Sequence, residues 1–174
     1  MMRRWAGPIV LAVVLALVTY YVTLSRTPQT LMAAAVSRLG KGGMNSFTHV
    51  PLATSKSRAI VRPSPDLAYS ACPFDLSKGV LEISVPSIPA NYWSLSVFQA
   101  NTDVAFVRNN VENGGKPITV SLVEQGAKAA AKSEVVRVKG ARGVALIRIL
   151  VDDPARFPTI DAARRGATCR IAGG

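Results

Sequence analysis

Two hydrophobic patterns divide the chain. Residues 5–24 are uncharged and almost continuously apolar, and from about Ala59 onward apolar and polar positions alternate. At 1.5 Å per residue, a helix made of the first segment would be about 30 Å long, which matches the hydrocarbon core of a bilayer. Alternation with a period of two is typical of half-buried strands. The pattern therefore predicts one membrane-spanning helix followed by a β-rich domain.

We interpret residues 1–26 as an uncleaved transmembrane anchor. Trp5 at one end and Tyr20 and Tyr21 at the other lie where interfacial aromatic residues are expected. The alternative is a cleaved signal peptide, which needs a small-x-small site after its apolar core, but the bulky sequence TYYVTLSR follows Val18. The lipid-facing apolar residues are expected to include Ile9, Leu11, Val14, Leu17 and Leu24.

Basic residues flank both ends of this segment, so charge alone does not orient it. Arg3 and Arg4 lie on one side, and Arg26, Arg38 and Lys41 lie near the other. A very short N-terminal tail usually stays in the cytoplasm. We therefore expect a single-pass signal-anchor in the inner (cytoplasmic) membrane, with the C-terminal domain in the periplasm of a Gram-negative cell.

Residues 27–45 are predicted to form a spacer helix and a loop. Thr27 is a suitable N-cap, Pro28 is tolerated at the first helical position, and glycine such as Gly40 commonly ends a helix. Two interpretations are open: an amphipathic helix on the bilayer surface, or a helix packed on its own domain. Its apolar residues, at helical spacing, are Leu31, Met32, Ala35, Val36 and Leu39.

Residues 46–174 are predicted to form a mainly β domain, either an antiparallel Greek-key barrel or a jelly-roll-like sandwich. Phe98 on the second face of its strand suggests that this strand is covered on both sides, and the nearly all-apolar run Gly143–Val151 suggests a central strand. Residues 125–133 are expected to be a connector or a short helix, and residues 152–166 a closing helix. The strand patterns fall at 80–85, 91–99, 104–108, 118–122, 136–138 and 143–151.

The charge balance favours an anionic partner. The 21 Lys and Arg against 10 Asp and Glu give a net charge of +11, which suits a basic surface facing anionic lipid. The basic residues are scattered, and aromatic residues make up only 6%, whereas a nucleic-acid domain usually shows a basic patch. We therefore expect the inner membrane as a partner and no nucleic acid.

Few residues offer chemistry. One histidine, His49, and two isolated cysteines do not supply the spacing of a metal site, and no phosphate-binding motif or G-x-S-x-G is present, so we expect no metal and no cofactor. Asp66 and Asp75 are candidates for a catalytic carboxylate pair, with Tyr69 or Tyr92 nearby. The alternative is turn chemistry, in which each aspartate accepts hydrogen bonds from backbone amides.

The two cysteines are candidates for a disulfide. Cys72 and Cys169 are 97 positions apart, and two cysteines in an exported domain are commonly bridged. The alternative is a pair of buried thiols.

The stretch around these candidates resembles a bacterial family, the domain of unknown function 1254. The residues that carry the resemblance are RPSPDLAYSACPFDLSKGVLEISVP followed by NYWSLSVFQANTDVAFV, with LMAAAVSRLGKGGMNSFTHV before them and VDDPARF near the end. The resemblance implies a mostly antiparallel β domain in an envelope or exported protein. In longer relatives it implies a companion β domain, the domain of unknown function 1214, which we expect on a separate chain here.

The family pattern tends to Asn at Ser64, Pro at Val80 and Asp near Gln99, and this chain departs from it at all three. The resemblance assigns no catalytic residue. We therefore expect a membrane-anchored periplasmic binding or assembly module in preference to an enzyme. The alternatives are a hydrolase-like envelope enzyme and a carrier of a small apolar ligand in the cleft of the β domain.

Overall fold

The computed structural model describes residues 2–54, 63–127 and 133–172, with side chains from Trp5 onward. The predicted start of the alternating pattern at Ala59 and most of the connector at 125–133 lie outside these residues. Three short 3-10 turns occur at Gly40–Gly42, Leu76–Lys78 and Pro154–Arg156. The helices are α1 (Met2–Leu39) and α2 (Phe157–Arg164); the strands are β1 (Thr48–His49), β2 (Leu67–Asp75), β3 (Leu81–Val85), β4 (Trp93–Phe98), β5 (Val104–Asn109), β6 (Ile118–Glu124), β7 (Glu134–Val138), β8 (Arg142–Leu150) and β9 (Thr168–Ile171).

The strands form two sheets. Sheet A has the order β1-β2-β8-β4-β5, and sheet B has the order β7-β6-β3-β9. The described strands form no closed barrel, since each sheet has two open edges. β8 lies between β2 and β4, which confirms the central strand expected from its apolar sequence. The strand pairs are antiparallel, as expected, except for β6 and β7 of sheet B, which pair in parallel.

The two sheets enclose one hydrophobic core. Alternate residues of each sheet point inward, such as Trp93 and Leu95 from sheet A and Leu81 and Ile83 from sheet B, and all four are fully buried. This is the period-two pattern of a strand with one face on the core. A disulfide between Cys72 of β2 and Cys169 of β9 connects the sheets across this core. The predicted pairing of the two cysteines is confirmed.

β2 runs through a proline, Pro73. Pro73 pairs with Val144 of β8 on one side. On the other side, its carbonyl accepts a hydrogen bond from the backbone N–H of Asn45 at 2.9 Å. β1 covers β2 only at Ala71 and Ser70. Proline is tolerated at this position because β2 is effectively an edge strand there. The N–H group that Pro73 lacks would not have hydrogen-bonded to a neighbouring strand.

α1 is one continuous helix, so the prediction of a separate spacer helix capped by Thr27 is wrong. Thr27 Oγ1 instead donates to the Thr23 carbonyl at 2.7 Å, inside the helix, and Pro28 also lies inside it. The helix still ends at Leu39, directly before Gly40. It is long and apolar enough to cross a membrane, with a mean hydropathy of 2.1 over an 18-residue window. The residues of this window are not buried against the domain.

The C-terminal part of α1 packs on the outer face of sheet A, the face turned away from the core. Met32 and Val36 are each 7% exposed and form a small cluster with Ala71 of β2 and Val144 of β8. Phe98 packs against the same cluster, which confirms that β4 is covered on both sides. Met32, Val36 and Leu39 therefore face the protein's own domain, whereas Leu31 is 61% exposed. The cluster is completed by Leu39 and Leu146.

The closing helix forms as its charge pattern indicated. Asp153 accepts a hydrogen bond from the Ala155 amide at 2.9 Å and caps the turn that leads into α2. Pro158 lies in the first turn of α2, where a missing N–H costs little. α2 delivers the chain to β9, which brings Cys169 opposite Ile83 of β3.

Candidate functional site

The two candidate carboxylates are not brought together. Asp66 directly precedes β2 and is exposed, and Asp75 is the last residue of that strand. A strand of nine residues is about 30 Å long at 3.3 Å per residue. The two aspartates therefore do not form one acid–base pair, because β2 holds them at opposite ends.

Asp75 combines turn chemistry with an ion pair. Its Oδ1 accepts a hydrogen bond from the Ser77 amide at 2.9 Å, and its Oδ2 accepts one from Arg142 Nε at 2.8 Å. The pKa of Asp75 lies below its usual value, chiefly because the Ser77 amide hydrogen-bonds to the carboxylate; Arg142 adds to the same shift. The turn interpretation is thus confirmed for Asp75, which is held as a carboxylate.

A cavity of about 490 Å³ lies beside this ion pair, between α1 and the end of sheet A; we name it the α1 pocket. The α1 side contributes an apolar wall that includes Met32, Ala33 and Val36. The Arg142 side chain is 69% exposed, and its two Nη groups make no hydrogen bond to the described part of the chain. The other lining residues are Gln29, Ser37, Gly40, Met44, Asp75 and Ala100.

A second polar cluster centres on Arg164, the last residue of α2. Its side chain is fully buried, and its Nη1 and Nη2 donate to the Tyr69 carbonyl at 2.7 Å and to the Val50 carbonyl at 2.8 Å. Its Nε donates to Asp161 at 2.7 Å, and Asp161 also accepts from Arg165 at 2.7 Å. Burial raises the pKa of Asp161, but the hydrogen bonds from Arg165 and Arg164 outweigh it, so the pKa is lowered overall. Arg164 therefore ties α2 to β2 and to the segment after β1.

His49 adjoins this cluster through Ser70. Its Nδ1 lies 2.9 Å from Ser70 Oγ, and its pKa is lowered first by burial and then by the positive charges of Arg164 and Arg165. This geometry resembles part of a serine–histidine pair, but Ser70 is fully buried and Asp161 binds the two arginines instead of His49. A substrate has no access to Ser70, so the cluster is structural.

The part of the outer face of sheet A that α1 leaves open carries the two candidate tyrosines. Tyr69 of β2 and Ser94 of β4 both pair with Arg148 of β8, so these three residues form one row across the sheet. Tyr92 precedes β4 at the same end and is 42% exposed. We name the surface formed by Tyr69, Tyr92 and Arg148 the open face. Tyr69 and Asp66 lie at this end, and Asp75 lies at the α1 end.

Within the described ranges, no group of three or more His, Cys, Asp and Glu residues is placed to hold a metal ion.

The sequence did not reveal Arg164 or the α1 pocket. Arg164 lies in the predicted closing helix, where its sequence position indicates only a basic residue that complements the helix dipole. The pocket had no local signal because α1 and sheet A, which form its walls, are brought together only by the fold.

The protein consists of a domain of two β sheets that follows a long N-terminal apolar helix. A model of the family described as "Protein of unknown function (DUF1254)" matches residues 44–170. That match covers most of the chain, and the chain therefore belongs to this family.

Two of the solved structures that resemble the chain do so at low sequence identity. One is the VPA0106 protein from Vibrio parahaemolyticus, with a TM-score of 0.61 and 14% identity, covering 83% of this chain and 37% of that chain. The other is a putative uncharacterized protein from Burkholderia cenocepacia, with a TM-score of 0.48 and 15% identity, covering 75% of this chain and 35% of that chain. No curated protein matches the chain. The chain thus spans a little over a third of the length of these structures, and the first shares its fold.

Proposed function

We propose that this protein is a membrane-anchored envelope protein whose β domain is a periplasmic binding or assembly module. The observation that carries the proposal is the continuity of α1. Its N-terminal part is apolar and unburied, and its C-terminal part packs on sheet A through Met32 and Val36. Such a helix holds the domain at a fixed position close to the bilayer, which is what a module that presents a surface to partners requires.

The disulfide supports the periplasmic location. Disulfides persist in oxidising compartments and are rare in the cytosol. Cys72 and Cys169 are bridged, and both lie in the core between the two sheets.

We propose that the partner is a separate chain carrying the companion β domain of the family, docked on the open face. The similar Vibrio protein is much longer than the matched region, so that fold is part of a larger chain there. The open face has the composition of an interface, because tyrosine and arginine are enriched where proteins bind one another. Tyr92 and Arg148 are its exposed members.

The experiment is co-expression with a chain that carries the companion domain, followed by affinity purification in mild detergent. We expect the two chains to co-purify, and we expect Tyr92→Ala with Arg148→Glu to lower the recovered partner by about tenfold or more, since interface hot spots contribute about 2 kcal/mol or more each. Lys78→Glu is the matched control, since Lys78 is exposed in the turn after β2, at the other end of the sheet. Recovery as a lone monomer, or equal loss with Lys78→Glu, would contradict the proposal.

Two finer points belong to the same proposal. The chain passes between the sheets from β2 to β3, β3 to β4, β5 to β6, β7 to β8 and β8 to β9, which supports a jelly-roll-like sandwich. The α1 pocket supports a second role, the binding of a small amphiphile.

A further inference from the structure

The α1 pocket combines an apolar wall with the Arg142–Asp75 ion pair at one end. Met32, Ala33 and Val36 of α1 line one side, and Met44 and Ala100 add apolar surface from the domain. Its volume of about 490 Å³ falls in the range of small-molecule sites, about 300–1,000 Å³. Pockets of this kind bury an apolar body and use a few polar groups to orient it.

Arg142 is the group that orients a ligand. Its Nε is occupied by Asp75 at 2.8 Å, and this bond holds the guanidinium at the mouth of the pocket. Its Nη1 and Nη2 groups remain available as donors, since neither makes a hydrogen bond within the described residues. A guanidinium binds carboxylate and phosphate oxygens with two parallel hydrogen bonds.

The position of the pocket along α1 determines where a ligand comes from. Gln29 is five residues beyond Leu24, the end of the predicted membrane segment, and Val36 is twelve residues beyond it. At 1.5 Å per residue the pocket lies about 8–18 Å from the hydrocarbon core. The headgroup layer extends about 5–8 Å beyond that core, so the pocket begins at the outer limit of the headgroups.

We propose that the α1 pocket binds an anionic amphiphile with a single acyl chain. The chain lies against Met32, Ala33 and Val36, and the anionic head group accepts hydrogen bonds from Arg142. A free fatty acid and a lysophospholipid share this chemistry, and both reach the pocket from the bilayer. The site is at the opposite end of sheet A from the open face. It depends on α1 being anchored in the membrane and does not depend on the partner chain.

Ala33 and Ala34 provide a matched pair for the test. Both are exposed on α1, but only Ala33 lines the pocket. Ala33→Phe fills the pocket without changing a buried residue, and Ala34→Phe adds the same side chain outside it. Ser37→Phe is a second blocking variant, since Ser37 also lines the pocket and is exposed.

The experiment uses the full chain in phosphatidylcholine nanodiscs and a photoreactive palmitic acid as the probe, with labelled peptides identified by mass spectrometry. We expect labelling of residues 29–44, reduced about tenfold by Ala33→Phe and by Ser37→Phe and unchanged by Ala34→Phe, since a tenfold change corresponds to about 1.4 kcal/mol of binding. Arg142→Gln is expected to weaken labelling by about tenfold, because hydrogen bonds to charged groups contribute on this order.

Competition identifies the head group. Dodecanoate and a lysophosphatidic acid are expected to displace the probe, and the stronger competitor shows whether the natural source is a fatty acid or a phospholipid. Dodecanol is expected to displace it at least about tenfold less well, because it offers no anion to Arg142. Labelling spread along residues 5–28, labelling unaffected by Ala33→Phe, or equal displacement by dodecanol would overturn the proposal. Co-elution of the chain with the nanodiscs tests the anchor separately.

Discussion

Cys72 of β2 and Cys169 of β9 form a disulfide that joins sheet A to sheet B across the core, over a sequence separation of 97 residues. Closing a loop of this length removes conformational freedom from the unfolded chain, worth about 4.7 kcal/mol in the entropy model. We expect Cys72→Ala with Cys169→Ala to lower the free energy of unfolding by about 2–5 kcal/mol. Denaturant unfolding of the full chain in mild detergent measures this. An unchanged midpoint, in the variant and in reduced wild-type protein, would show that the bridge does not stabilise the fold.

Arg164 and Arg165 are adjacent residues that bind the same carboxylate in opposite environments. The Arg164 side chain is 0% exposed and that of Arg165 is 57% exposed. Arg164→Met leaves the carbonyls of Val50 and Tyr69 without this donor and breaks a buried ion pair, so we expect a loss of about 3–5 kcal/mol. Arg165→Met is the control, with an expected loss below about 1 kcal/mol. Equal losses in thermal or denaturant unfolding would contradict the buried position of Arg164.

His49 is expected to make the stability of the domain depend on pH. Burial, with the charges of Arg164 and Arg165, lowers the pKa of His49 below 6.5 in the folded state. The unfolded chain therefore binds this proton more readily than the folded chain. Its contribution to stability is fully present above about pH 6.5 and is lost as the pH falls from that value towards the lower folded-state pKa.

The check is a series of denaturant unfolding curves across this pH range for wild type and His49→Gln. The variant keeps a group that can hydrogen-bond to Ser70 but has no proton to gain, so its stability should fall less between pH 7 and pH 5. Identical pH profiles for the two proteins would show that His49 is not responsible. Asp75 and Asp161 also have lowered pKa values in the folded state. The stability that they contribute is lost only as the pH falls below their ordinary pKa of 3.8, which is outside this pH range.

Alanine substitutions at Met32 and at Leu31 test whether α1 and the domain form one structural unit. Met32 is 7% exposed against sheet A, and Leu31, its neighbour, is 61% exposed. Truncating a buried methionine costs about 2–5 kcal/mol, so Met32→Ala should separate residues 28–39 from the sheet. We expect hydrogen exchange to become faster at Ala71 and Val144, the residues that Met32 packs on, and proteolysis after Arg38 to increase. Leu31→Ala should change neither, and matching effects of the two variants would contradict a docked helix.

The strands with strict alternation were predictable from the sequence. Leu81, Ile83 and Val85 were expected on one face and are fully buried, because a period of two determines which side chains face a core. The parallel pairing of β6 and β7 was not predictable. It depends on the path of the connection between them, which the strand sequences do not contain.

The candidate site was predicted less well than the fold. Asp66 and Asp75 were grouped because both are acidic and close in sequence, but an extended strand separates them. Thr27-Pro28 indicated a helix start, but α1 continues through these residues. The apolar helix before them and the packing of the following residues on sheet A outweigh the hydrogen bond that Pro28 cannot donate. Arg164 and Asp161, which form the buried polar cluster, were not among the candidates.

We propose above all that α1 anchors the domain on the outer side of the inner membrane. A pair of reporter fusions after Gly174 tests it most directly: one reporter enzyme folds only in the oxidising periplasm, and one fluorescent reporter matures only in the cytoplasm. We expect the periplasmic reporter to be active and to sediment with membranes, and the cytoplasmic reporter not to fluoresce. Activity of the cytoplasmic reporter alone would contradict it.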